Sequence, residues 1–242
     1  MDKKSAKKSQ RWKILAWLVG VMAVMLALHL ILMTARSDWE TYWWLVGPFD
    51  MDSEISIFTW WSTTVLLFVP AILLGFIGWV KRQEKAKYAW GWFVAAGVLM
   101  FMSMDDGAML HERLGAVNEL SGLQGVLDGI NPYLLAWSWW VIYLPVLVAI
   151  AVILVPWFLS LPRRTQVLMI VGAVMAGLGQ MGMEAVSSFV TNSTGEYIGP
   201  VWRGFQKFVG RTGLSIFLFA VIDYCLSDSG VRKRIDGLLQ KD

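Results

Sequence analysis

KKSAKKSQRWKILAWLVGVMAVMLALHLILMT, Lys3 to Thr34, decides the fold: six cations within Lys3–Lys13 run directly into an uncharged apolar stretch. A helix rising ~1.5 Å per residue needs ~20 residues to cross ~30 Å of hydrocarbon, and the stretch Trp12 to Thr34 has that length. It is too long for the apolar core of a signal peptide, and Thr34-Ala35-Arg36 is a poor cleavage site, so it reads as a retained first span. Five more apolar stretches follow: Ile55 to Val80, Tyr88 to Met104, Leu134 to Leu159, Val167 to Val190 and Val201 to Leu226. Strand-type alternation is missing from all of them, which leaves helices as the spanning form.

The charges between the spans set an orientation. Of 21 Lys and Arg, 16 fall in Lys3–Lys13, Lys81–Lys87, Arg163 with Arg164, and Arg232–Lys241. The alternate loops carry Arg36 and Arg113 but gather Asp38, Glu40, Asp50, Asp52, Glu54, Glu119, Asp128 and Glu196. Positive charge resists translocation, so the basic segments are expected in the cytoplasm with both termini. Trp and Tyr near the span ends, such as Trp12, Trp44, Trp60, Trp79 and Trp202, suit interfacial anchors. The expected fold is all-α: a polytopic bundle of six transmembrane helices, N-in and C-in. Residues 1–11 form a basic cytoplasmic tail, 12–226 the transmembrane domain and 227–242 a cytoplasmic C-terminal tail.

Composition fits, with 57% hydrophobic and 16% charged residues. The net charge of +3 follows from the topology bias toward anionic inner-leaflet lipid, so nucleic acid is not an expected partner; the lipid bilayer is, together with a membrane-protein partner. One cysteine, Cys225, can build neither a disulfide framework nor a cysteine metal site. Glycine-rich phosphate loops, HExxH and GxSxG are absent.

Topology also assigns depth, and depth gathers the polar residues of the spans. Asp105, Asp106, His111 and Glu112 fall at the outer end of the third span, Glu184 in the outer half of the fifth, His29 near the outer end of the first. Arg203, Lys207 and Arg211 descend through the same half of the sixth as an i, i+4, i+8 stripe ~12 Å long. On a straight helix Asp105 and Glu112 lie ~20° apart in azimuth and ~10 Å apart along the axis, so acids on the third span and cations on the sixth are expected to face each other. An ion at mid-bilayer costs on the order of 3 kcal/mol or more, so these groups should face one another or water, not lipid. Glu184, Arg203, Lys207 and Arg211 form the expected ionic cluster. On the fifth span Gly172, Ala176 and Gly179 make a small face for close helix approach, which suggests that this helix is central.

FDMDSEISIFTWWST (Phe49 to Thr63) and MSMDDGAMLHERLG (Met102 to Gly115) carry a family resemblance. The chain resembles uncharacterised bacterial multi-pass inner-membrane proteins, in which an acidic loop enters a Thr-Trp/Tyr-Ser helix start and a Ser-Leu-Asp-Glu and His-Glu-Arg motif follows. The resemblance implies an inner-membrane location and no particular activity. Members carry extra glutamates at the start of the last span, where this chain has Gln206, Lys207 and Gly210.

Three functions follow from these residues. The favoured one is a non-enzymatic scaffold or partner-binding subunit whose ionic cluster fixes helix register. The second is an outer-leaflet metal-dependent hydrolase, with His111, Glu112, Asp105 and Asp106 as catalytic candidates. Its divalent ion would draw on Asp105, Asp106, His111, Glu112 and Glu184. The third is a proton- or ion-coupled carrier using Glu184 and Lys207.

Overall fold

The computed structural model describes residues 3–34, 44, 46–110, 138–194 and 199–240. Its order is α1 (Lys3–Thr34), a short 3₁₀ turn (Gly47–Phe49), then α2 as Ile57–Trp61, a π-helical segment Ser62–Phe68 and Val69–Gln83. There follow α3 (Ala89–Ala108), α4 (Ser138–Leu159), and α5 as Arg163–Gly177, a second π-helical segment Leu178–Gly182 and Met183–Thr194. The chain ends in α6 (Pro200–Ser227) and α7 (Ser229–Leu239).

The fold is all-helical, with four helices long and apolar enough to cross a membrane: Arg11–Met33, Ile57–Gln83, Arg163–Ser187 and Val201–Ser227. The third and fourth expected spans also fall on helices, α3 and α4, the latter with a shorter apolar part, Pro145–Leu159. Segments read as tails are helical too: α1 begins at Lys3, and α7 occupies most of 227–242.

The central helix is α6, not α5. Of its span 72% is buried, against 22% for Arg163–Ser187. The small face of α5 does allow close approach, but it meets glycines of α6: a Cβ on Gly172 would lie 2.8 Å from the Gly213 carbonyl, and one on Gly179 would collide with the Gly210 backbone. Gly204, nearer the start of α6, gives the same closeness to α1, where a Cβ would stand 2.5 Å from His29 Cδ2. Gly210 and Gly213 let α5 approach α6 to backbone contact, and Gly204 makes room for the His29 and Leu26 side chains of α1, closeness that supplies the dispersion energy holding helices together in lipid.

Helix ends follow local chemistry. Ser56 caps α2, its Oγ accepting the Thr59 N–H at 3.2 Å. Asp228 breaks direction after α6 (φ −74°, ψ 123°) and caps α7 by accepting the Gly230 and Val231 N–H groups at 3.1 and 3.0 Å. Met109 takes a left-handed conformation (φ 51°) and ends α3. The straight-helix argument that set Glu112 above Asp105 therefore fails, because the helix stops between them.

Candidate functional site

Asp50 to Ser56 is irregular backbone, and it descends along α6 beside Arg203, Lys207 and Arg211. Arg203 Nη1 lies 3.4 Å from the Asp52 carboxylate and Lys207 Nζ 3.4 Å from Glu54 Oε1. Arg211, 1% exposed, donates from Nη1 to the Met51 carbonyl at 3.5 Å and from Nη2 to Thr59 Oγ1 at 3.3 Å. Residues 203 to 211 cover ~12 Å of helix axis, so the loop follows α6 to a depth of about two turns.

Irregular backbone at membrane depth is tolerated only where protein satisfies its N–H and C=O groups. Side chains do that here. The Met51 N–H donates to His29 Nδ1 at 3.1 Å, the Asp52 N–H to Asp50 Oδ1 at 2.9 Å, and the Ser53 carbonyl accepts from Thr59 Oγ1 at 2.9 Å. Accepting the Met51 bond requires an unprotonated Nδ1, so the 3.5 Å approach of Asp50 Oδ1 to that atom is no salt bridge while the bond holds. His29 is wholly buried. The acids whose field acts on Arg211 are Asp106, Glu54 and Asp52. Beside them, Arg211 Nε, Ser62 Oγ and Thr212 Oγ1 are buried without a hydrogen-bond partner among the described residues.

The expected residues separate as follows. Arg203, Lys207 and Arg211 lie along one stripe of α6, with Arg203 and Lys207 paired to loop acids and not to acids of α3, while Asp106 acts on Arg211. Asp105 accepts a hydrogen bond from Tyr143 Oη of α4 at 2.9 Å, while Ser103 Oγ donates to the Thr63 carbonyl within the π segment of α2. His111 and Glu112 lie outside the described residues, as does the Glu184 side chain. Among the described residues no three His, Cys, Asp or Glu side chains come together as a metal-binding set. The partners that sequence reasoning missed are Asp52, Glu54 and Thr59. Their signal is the acid–x–acid spacing ahead of a helix start, which lies within the Phe49 to Thr63 motif but carries no mark of its cations.

A second network, also missed, lies at the other end of α6. Asp223, 3% exposed, is held between Arg11 of α1 at 3.2 Å and Arg164 of α5 at 3.1 Å. Arg11 also donates to the Leu226 carbonyl and Ser227 Oγ, and Arg164 stacks 5.4 Å from the Trp12 ring. Lys81 at the end of α2 bridges Asp228 at 2.6 Å and Glu84 at 2.8 Å. Burial pushes the Asp228 carboxyl up, but hydrogen bonds from Lys81 and the Val231 N–H outweigh it and hold the group below the ordinary 3.8. Its folded value being depressed, the stabilisation is present above that pH and is lost as pH falls through the folded value. Acidification below about pH 4 should therefore release α7, seen as faster proteolysis at Arg232–Arg234 while the spans stay protected.

Between the two networks α6 is apolar: Leu218, Phe219, Ala220 and Val221 are at most 2% exposed, and Trp12 packs 5.2 Å from Phe219. From Ser215 to Asp223 this layer is ~12 Å thick. A groove of about 550 Å³ lined by Met183, Trp202, Phe205 and Val209 lies on the face of α6 opposite the stripe and is almost wholly apolar, so it is separate from the polar site.

No curated protein and no solved structure matches the chain. Residues 15–221 match the model of a family described as a domain of unknown function, DUF8692, and the chain belongs to that family.

Proposed function

We propose that this protein is a six-span inner-membrane protein with both termini in the cytoplasm, acting as a non-enzymatic scaffold or partner-binding subunit. The observation that carries the reading is the use made of the polar residues: His29, Arg203, Lys207, Arg211 and Thr59 hold the irregular segment 50–56 against α6. Residues spent on holding backbone and on one another set helix register. The charge pattern and the resemblance to multi-pass inner-membrane proteins support the location and the span count. The apolar layer between Ser215 and Asp223 weighs against a carrier, which needs a polar route past that depth.

Exchanging the charges tests the reading. Glu54→Lys combined with Lys207→Glu keeps the pair and reverses its sense. A structural pair should restore most of the thermal stability lost in either single variant, about 1 kcal/mol for a part-buried pair at this separation, and the cellular phenotype with it. Restored stability with a lost phenotype would instead mark Lys207 or Glu54 as chemically active. The hydrolase reading turns on His111. On the scaffold reading His111→Gln leaves folding, insertion and metal content unchanged; loss of a bound ion from the folded variant sinks it. For topology, single cysteines introduced near Asp52, Asn118 and Thr194 in a Cys225→Ser background should react with impermeant reagent on intact cells, and cysteines near Glu84 and Arg164 should not. Labelling at either of the latter two reverses the orientation.

A further inference from the structure

α7 carries an apolar stripe that runs off the edge of the protein. Val231, Ile235, Leu238 and Leu239 occupy about 100° of its circumference. The first two anchor the helix: Val231 is fully buried and Ile235 packs against the core. The last two do not, being 60% and 73% exposed. A stripe that is core at one end and bare at the other needs a second apolar surface to cover it.

The position of α7 identifies that surface. It starts two residues after α6 ends, turned from the α6 axis at Asp228 and tied to the end of α2 through Lys81. Arg234 lies 5.5 Å from the ring of Trp79, which is 44% exposed on the last turns of α2. α7 therefore sits where the apolar parts of α2 and α6 stop, at the depth of lipid headgroups. Cations edge the stripe: Arg232 is ~20° beyond Leu239, Arg234 ~40° beyond Leu238, and Lys233 is on the far face. Arg82 in the last turn of α2 and Lys85 and Lys87 of the α2–α3 connection are exposed at the same end of α2. An apolar stripe edged by cations at headgroup depth suits acyl chains below and phosphate groups beside it.

We propose that α7 is a lipid-binding foot whose occupant is anionic phospholipid of the leaflet at the Ser227 end of α6. Leu238 and Leu239 enter the acyl region, Arg232 and Arg234 hold phosphates, and the Asp228 junction fixes the angle at which the helix leaves the bundle. The inference goes beyond the scaffold reading and stands without it.

The test uses the full chain at one copy per nanodisc, with Leu239→Cys in a Cys225→Ser background labelled by an environment-sensitive dye. In discs rich in phosphatidylglycerol the emission should be that of an apolar setting, and in pure phosphatidylcholine it should move toward that of water. Arg232→Gln and Arg234→Gln should each lower the ratio of inserted to free helix about fivefold in the anionic discs, and Lys233→Gln, on the far face, should lower it less, while the thermal midpoint of the bundle stays unchanged. Water-like emission in the anionic discs overturns the proposal, and so does emission that ignores lipid charge. An apolar signal that appears only with two copies per disc also overturns it, because the stripe would then be covered by a second chain.

Discussion

Gly213→Val should leave little folded protein. A Cβ at this position would stand 2.6 Å from the Gly172 carbonyl and collide with the Ala176 N–H, so the obstacle is backbone, with no side chain free to swing aside. Overpacking of a tight contact costs about 3 kcal/mol or more where nothing can relax, and in lipid the close approach is itself the source of helix–helix attraction. The loss should appear as a lowered thermal midpoint in detergent and poor recovery from membranes. Gly20→Val on α1 is the control: nothing lies within 4 Å of a Cβ there, and the change should be worth about 1 kcal/mol at most. Equal behaviour of the two variants would mean that α5 and α6 do not cross at these glycines.

Arg211→Met is the second large loss expected. The guanidinium is buried, donates to Met51 and Thr59, and lies in the field of Asp106, Glu54 and Asp52. Methionine fills a similar volume but takes a donor from the Met51 carbonyl and from Thr59 Oγ1, which still accepts from Ser56 Oγ at 3.4 Å, and leaves the acids without their deepest cation. Removing one partner from such a buried set costs about 3 kcal/mol. Arg211→Lys should recover only part of this, since an ammonium has donors enough but lacks the rigid fork that sets Nη1 and Nη2 on two separate acceptors. Lys207→Met, at a pair with 14% and 21% side-chain exposure, should cost about 1 kcal/mol or less. An Arg211→Met protein as stable as Lys207→Met would show that segment 50–56 is not held from below.

How much of this was legible in the sequence depends on the range of the interaction. Helix positions follow from runs of apolar residues, a local property, and all-helical structure is what such runs require in lipid. The cation stripe was legible for the same reason, because i, i+4, i+8 spacing is a property of one helix. Its acids at 52 and 54 were not, since they sit on a loop whose depth depends on His29 of α1 and on room beside α6. Asp223 was visible as a charged residue near a span end, but its two arginines belong to α1 and α5, and pairing across three helices leaves no periodic trace. The break at Met109 had no marker either: left-handed residues are usually glycine, and the nearest one, Gly107, stands within α3. Choosing α5 as the central helix was an error of the same kind. The glycines of α5 mark a close contact, but the matching Gly210 and Gly213 belong to α6, which meets α1 and α2 as well.

The descent of segment 50–56 along α6 has a consequence for biosynthesis. Asp52 and Arg203 are 151 residues apart, and Glu54 and Lys207 are 153 apart. At the ~5–20 residues per second of translation, the acids are made roughly eight to thirty seconds before their cations exist. Throughout that interval the loop backbone already has His29 of α1 and Thr59 of α2 as partners, but its acids have no cation to dock on. Seating of the loop is therefore the closing step of assembly, reached only when the last span arrives. A nascent chain stalled before Arg203 carries a hydrated acidic hairpin that a finished molecule conceals, a difference by which a membrane quality-control protease could tell the two apart.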